Sequence, residues 1–347
     1  MNNILLHKFK PLFIMGLFLF IGGCSKKGKL IHLTGRTMGT QYNVKYYDGP
    51  VKHSSVEILK KINERLEDIN RQMSTYIKLS QISFFNSQDR QGWVSVDPDF
   101  NKVLNFSLTL AKKTKGSFDP TIGPLVNLWG FGPEGKRRVP SKSEIQSAIL
   151  KVGFDKVEHD FKNSKIRKLK PGVYLDLSAS AKGHGVDEVA ILLKENGAKD
   201  LMVEIGGEVR AEGKKDKSLW KIGISTPDPK NLGQEIQKVL PLENLSVATS
   251  GNYRNFFEKD GKNYSHTIDF KTGKPVDESL ASVSVVSRSG CMEADALATA
   301  LMAMGRKKAL EFAEEQKIAA YFIYKAAGQK GSVFDMKESA AFKKLFP

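Results

Sequence analysis

Short β-favouring runs in the second half of the chain follow one another more often than they alternate with helices, and this order constrains the fold more than any other feature. Such runs lie at 201–205, 208–211, 220–224, 245–248, 282–287 and 319–324, with an earlier one at 173–177. Helical patterns at 183–195, 291–304 and 306–316 separate only some of them. A regular doubly wound sheet needs a helix between successive parallel strands, so the expected class is α+β, with the topology left open. In the first half, Gln41–Tyr47 alternates like a strand. Ser54 and Glu57 form a capping box ahead of Ile58, Leu59, Ile62, Leu66, Ile69 and Met73, whose spacing predicts an amphipathic helix. Further helices are expected over 100–114, closed by Gly116, and from Ser141-x-x-Glu144 onward. Residues 30–347 read as one continuous domain of catalytic size; the Gly/Pro-rich stretch 130–141 and the basic turn 213–218 are its ambiguous parts.

Residues 1–23 differ in kind. Lys8 and Lys10 precede an apolar run from Leu12 to Ile21. It falls short of the roughly 20 residues that span a bilayer and has the layout of a secretory signal peptide. Ile21-Gly22-Gly23-Cys24 resembles a bacterial lipobox, in which the Cys becomes the lipidated N-terminus; an ordinary signal peptide with an incidental Cys is the alternative. Residues 24–29 are then the lipidated Cys and a solvated tether, with lysines that favour anionic headgroups. With Cys24 acylated, Cys291 is the one thiol left and no intramolecular disulfide can form. Charge matters at this point: 54 Lys+Arg against 38 Asp+Glu give +16, and removal of residues 1–23 leaves +14. Such an excess asks for an anionic partner, and export turns that expectation from nucleic acid toward a phosphate-bearing ligand or a membrane surface. Two Cys and six His without ligand spacing exclude a Cys-rich zinc site.

Several segments carry candidate chemistry. Glu293–Gly305 is a helix rich in Ala, Leu and Met, ended by Gly305, with Asp295 and Thr299 four apart on one face. A buried carboxylate needs a partner, and carboxylate plus hydroxyl suits Mg²⁺; capping of a neighbouring backbone is the equal alternative. Asp176 ends the run Val173–Leu175, and Ser178–Gly183 leads into a helix. A strand, a small-residue loop and a helix N-terminus would make an anion cradle with Lys182 beside it, unless Lys182 is merely solvated. Gly206-Gly207 permits close backbone approach or a hairpin turn. His266 sits among turn and polar residues, where a base titrating near neutrality would be useful, although a lone His is more often structural. Met38 and Tyr76 stand in polar loops, as walls of a planar ligand site or as core residues.

Taken together, these segments resemble the ApbE family, the bacterial FAD:protein FMN transferases. The matching stretches are Thr37–Thr40, Met73–Tyr76, Phe118–Leu125, Asp176–Gly183, Glu204–Gly207, Ser250-Gly251, His266–Asp269 and Ala294–Ala300, in that order, with Val126–Gly132 similar to the lipoprotein members. The resemblance implies an α+β, T-fold-related catalytic domain of antiparallel sheets with flanking helices. It implies Mg²⁺-assisted transfer of FMN from FAD to a Thr or Ser hydroxyl of a target protein through a phosphoester, with release of AMP. Met38, Tyr76, Ser117, Phe118, Asp119, Asp176, Lys182 and Ile268 would surround FAD. Asp295, Thr299 and the Ala179 carbonyl would hold the metal, and His266 is the candidate base. His184 and Phe270 depart from the family pattern, which leaves open whether His184 joins the flavin wall. The implied clients are exported or membrane-facing flavoprotein subunits, as in sodium-translocating NADH:quinone reductase or Rnf-type complexes. The expected place is the periplasmic face of the inner membrane. An FAD pyrophosphatase releasing FMN and AMP, or a non-catalytic flavin-binding lipoprotein, are the competing readings.

Overall fold

The computed structural model describes residues 28–89, 91–133, 135–228, 235–252, 255–276, 279–326 and 333–347. The expected signal peptide, Cys24 and most of the tether lie outside these residues. Among them are the helices α1 (Ser55–Met73), α2 (Gln81–Ser87), α3 (Pro98–Lys113), α4 (Gly123–Leu128), α5 (Lys142–Ile149), α6 (Ser178–Glu195), α7 (Cys291–Glu315) and α8 (Ala340–Leu345). No helix of the described residues is long and apolar enough to cross a membrane.

An eight-stranded sheet lies at the centre: Leu30–Thr37, Thr40–Tyr47, Leu201–Ile205, Glu208–Glu212, Leu245–Gly251, Leu280–Ser287, Ala319–Lys325 and Phe334–Glu338, side by side in chain order. Every neighbouring pair is antiparallel. The α+β expectation holds, but of the expected strands 220–224 lies outside this sheet and pairs with Ile236–Leu242 in a separate hairpin. Its halves share a plan of two strands, a long helix and two strands, with α6 serving the first and α7 the second. The first half carries α1–α5 as an insertion before α6, and the second carries residues 252–279 between its first two strands.

Period-two alternation builds three layers. Tyr42, Val44 and Tyr46 meet Ile58 and Ile62 of α1 and Val186 and Val189 of α6. Val283, Val285, Ala320 and Phe322 pack on α7. On the opposite face Met202, Val209, Val247, Val286 and Ile323 are covered by the hairpin Trp220–Ser225/Ile236–Leu242 and by Phe342 of α8. Burying each of the larger of these side chains contributes about 1.5–3 kcal/mol.

Both expected capping boxes form, Ser54 with Glu57 on α1 and Ser141 with Glu144 on α5. Gly305, at φ 72°, interrupts α7 where the two helical patterns were divided. Two expectations need correction. Residues 173–177 belong to no strand, and at Leu175 a side chain takes the place of a neighbouring strand. The Asn86 amide accepts the Leu175 N–H at 2.7 Å and donates to the Leu175 carbonyl at 2.8 Å. Helix α6 also starts at Ser178, so Ser178–Lys182 is its first turn and not a loop leading to it.

Candidate active site

Two tight hairpin turns mark the end of the sheet where the site lies. Thr37 pairs with Thr40 across Met38-Gly39, and Ile205 pairs with Glu208 across Gly206-Gly207. All four turn residues have positive φ, including Met38 at 49°, a conformation that Asn or Gly adopts more readily. That strain aims a long apolar side chain where a turn residue would ordinarily be polar. The turns touch: the Gly206 N–H donates to the Gln41 carbonyl at 3.1 Å. Beside them opens a cleft of about 1000 Å³. It is lined by all twelve of Met38, Tyr76, Ser117, Phe118, Asp119, Asp176, Ala179, Lys182, His266, Ile268, Asp295 and Thr299. Cys24 lies outside the described residues.

The charged floor of the cleft is set by the crossing of α6 and α7. Gly183 permits it, since a Cβ there would stand 2.4 Å from the Cys291 carbonyl oxygen. The Gly183 N–H donates to Asp295 Oδ2 at 3.0 Å. Lys182, one residue earlier, reaches Glu208 Oε1 at 3.3 Å and Asp295 Oδ1 at 3.6 Å. Both carboxylates are buried, at 4% and 3% exposure. Burial opposes the Lys182 charge, but Asp295 and Glu208 outweigh it and hold its pKa above the usual lysine value. Burial pushes the Glu208 carboxyl up to about 7 against the pull of Lys182, with Asp295 adding to the rise. Burial likewise raises Asp295, opposed by Lys182 and the Gly183 N–H. One ammonium thus serves two carboxylates, and Glu208 Oε2 has no hydrogen-bond partner among the described residues.

This floor fits a hard divalent cation. With Lys182 a divalent ion would offset the two acids and leave one positive charge for a phosphate, and the Thr299 hydroxyl, whose hydrogen bond among the described residues is with Ser250 Oγ at 3.1 Å, supplies a neutral oxygen on the same face of α7. The Gly183 N–H would ordinarily serve the Ala179 carbonyl four residues back; Asp295 competes for that donor, leaving the Ala179 oxygen with acceptor capacity in the cleft. Capping of a neighbour and ion binding, alternatives in the sequence, are therefore compatible: Asp295 does the first with Oδ2 and faces Lys182 with Oδ1.

His266 is half-buried and lines the same cleft. Its Nδ1 lies 3.1 Å from the Asn255 carbonyl, which can only accept, so Nδ1 carries the proton and Nε2 is the basic nitrogen of the neutral ring. Burial lowers its pKa; the Asn255 carbonyl opposes this, and the Lys182 and Arg137 charges add to it. The hairpin Phe256–Lys259/Lys262–Ser265 supports this part of the cleft, with Trp129, Tyr264, Phe257 and Phe131 in successive ring contact and Phe131 edge-on to His266. Tyr76 is 67% exposed, so it is no core residue; its hydroxyl donates to the Phe131 carbonyl at 3.4 Å. Asp119 is committed to its own loop, accepting from Thr121 and from the Phe154 N–H. Asp176 accepts the Ser178 N–H at 2.9 Å. The expected anion cradle is altered accordingly, because this carboxylate takes one of the N–H groups at the start of α6.

His184 is fully buried and lies 2.8 Å from Asp99, on the side of α6 away from the cleft, and it is not among the cleft-lining residues. Phe270 packs on Gly116, behind Ser117–Asp119. Sequence reasoning missed Glu208 and Asn255, and named Ser250 only within a matching stretch, without a role. Glu208 follows Gly206-Gly207 at an inward position of its strand, and the need of Lys182 for a counter-charge was the signal that could have found it.

The ApbE family model matches residues 38–322. The FAD:protein FMN transferase of Haemophilus influenzae is 42% identical over 333 residues, 94% of each chain. That of Escherichia coli K12 is 34% identical, again over 94% of each. Among solved structures, the flavin transferase ApbE of Vibrio cholerae superposes with a TM-score of 0.82 at 38% identity, covering 91% of this chain and 99% of that one. The flavinyl transferase ApbE of Pseudomonas stutzeri, in its apo form, gives 0.82 at 36%, covering 92% and 97%.

Proposed function

The chain belongs to the ApbE family, and from that premise we propose that it transfers FMN from FAD to a Thr or Ser hydroxyl of a target flavoprotein, releasing AMP. It is a flavin transferase, as its relatives are named. The observation that carries the finer reading is the presence, in one cleft, of a cation-ready acidic floor and of His266 with its proton held on Nδ1, which leaves Nε2 as the basic nitrogen.

The acceptor oxygen attacks the phosphorus on the FMN side, the phosphoester bond forms, and the bond to the AMP oxygen breaks. His266 Nε2 takes the hydroxyl proton as that bond forms. Lys182 offsets the charge of the pyrophosphate, while Met38 and Tyr76 flank the flavin and Asp176 and Ser117–Asp119 shape the cleft around the nucleotide. Asp295, Thr299 and the Ala179 carbonyl would hold Mg²⁺. When bound, this ion supplies charge neutralisation at the phosphate oxygens.

Removal of residues 1–23, lipidation of Cys24 and tethering of residues 30–347 on the periplasmic face of the inner membrane complete the proposal, supported by the n-region, apolar run and lipobox-like sequence. Flavoprotein subunits of sodium-translocating NADH:quinone reductase or Rnf-type complexes are the clients of this reading. Incubation with FAD, Mg²⁺ and a domain carrying a Ser/Thr-Gly-Ala-Ser/Thr acceptor should add the mass of FMN to the domain. Free FMN without an adduct would make the chain a pyrophosphatase; no turnover of FAD would make it a binder.

A further inference from the structure

Helix α7 begins without a cap of its own, because Gly290 stands at its N-cap position and has no side chain to offer. Helix α6 supplies the cap. Asp187 accepts the Cys291 N–H on Oδ1 at 2.8 Å and the Met292 N–H on Oδ2 at 3.0 Å. Arg210 fixes the carboxylate from the other side, donating to Oδ1 at 2.7 Å. The fit is close: a Cβ on Gly290 would stand 2.7 Å from Oδ2. One helical turn before Asp187, the Gly183 N–H donates to Asp295 Oδ2, and Asp295 lies one turn after Cys291. Each helix therefore sends a carboxylate to backbone N–H groups of the other, and the two ties flank the contact at Gly183.

We propose that Asp187 is a positioning residue for the divalent-cation site. It does not line the cleft. By capping α7 from α6 it fixes how far α7 can slide or turn on α6, and so keeps the Asp295 carboxylate over the Ala179–Gly183 turn. Asp295 alone is a poor anchor, since its second oxygen must stay available to a ligand. This inference rests on the reading of Asp295 and Ala179 as cation ligands.

Mn²⁺ is the probe, titrated into the full chain without FAD and followed by the loss of its free-ion EPR signal. Asp187→Ala should weaken Mn²⁺ binding about 10–100-fold, the usual effect of removing a group that orients a ligand, while FAD binding in EDTA changes by less than about twofold. Asp187→Asn keeps the shape and one acceptor oxygen and should fall between; it is also the variant to use if Asp187→Ala does not fold. A purely structural role would lower the melting temperature and leave the Mn²⁺ affinity alone. A folded Asp187 variant that binds Mn²⁺ like wild type, beside an Asp295→Ala variant that does not, overturns the positioning role only. Wild-type Mn²⁺ binding by Asp295→Ala overturns both readings.

Discussion

Lys182 and His184, two residues apart on α6, look into two charged clusters with opposite uses. On the His184 side, Arg65 grips both oxygens of Asp99 at 2.6 Å and reaches Glu188 at 3.0 Å, and Lys102 also holds Glu188 at 3.0 Å. On the Lys182 side one ammonium faces Glu208 and Asp295. Donor spacing alone would favour the wrong cluster as a metal site: Asp99, His184 and Glu188 offer ligand atoms within 4.8 Å of one another. The guanidinium already sits among them. Burial opposes the Asp99 charge, but His184 and Arg65 outweigh it and keep the carboxyl well below its usual range. The first cluster, its two carboxylates gripped by Arg65 and Lys102 and only His184 Nδ1 left without a hydrogen bond among the described residues, welds α1, α3 and α6 together; the second, with one ammonium for two carboxylates and open to a cleft, is arranged for a ligand.

The contrast can be broken most sharply at Asp295. Asp295→Ala should lower Mg²⁺-dependent FAD turnover about 10³-fold, or about 4 kcal/mol, while loss of the tie to the Gly183 N–H costs only about 1–2 kcal/mol of unfolding free energy. Undiminished turnover would remove Asp295 from the site. Arg65→Ala should do the reverse, costing about 3 kcal/mol of unfolding free energy by stranding Asp99 and Glu188, with kcat per folded molecule nearly unchanged. Denaturant unfolding beside active-site titration checks both halves of that statement. His266→Ala should reduce transfer about 10²-fold while sparing FAD affinity. Because burial lowers the His266 pKa, the neutral base persists below its ordinary value of about 6.5, and the acid limb of kcat/KM should fall below that pH. A limb above it would assign the titration elsewhere. The smallest effect belongs to Asn86→Ala, which strands both backbone groups of Leu175 and should cost about 1–3 kcal/mol in an unfolding titration.

Asn86 also shows where sequence reading stops. Six of the eight sheet strands and the helices with capping boxes were legible because periodicity and caps are local, whereas the edge strands Leu30–Thr37 and Phe334–Glu338 were not. The run Val173–Leu177 has strand composition, yet at its centre the Leu175 backbone is satisfied by an amide 89 residues away in sequence. Lys182 and Asp295 stood out through charge on otherwise small or apolar helices. Their meeting through Gly183, and the entry of Glu208 between them, depend on a helix crossing that no local pattern encodes. The sequence leaves His184 open as a flavin-wall residue because it stands where the ApbE pattern more often has an aromatic; helical rotation turns it to the side of α6 away from the cleft.

The repeated plan of two strands, a helix and two strands has a historical consequence. Ala179, Lys182 and Glu208 come from one half of the sheet and its helix, while His266, Asp295 and Thr299 come from the other. A free-standing copy of either half would inherit an incomplete set of groups. Selection for this chemistry can therefore act only on the joined pair, and a substitution in one half is judged by what it does to its sibling.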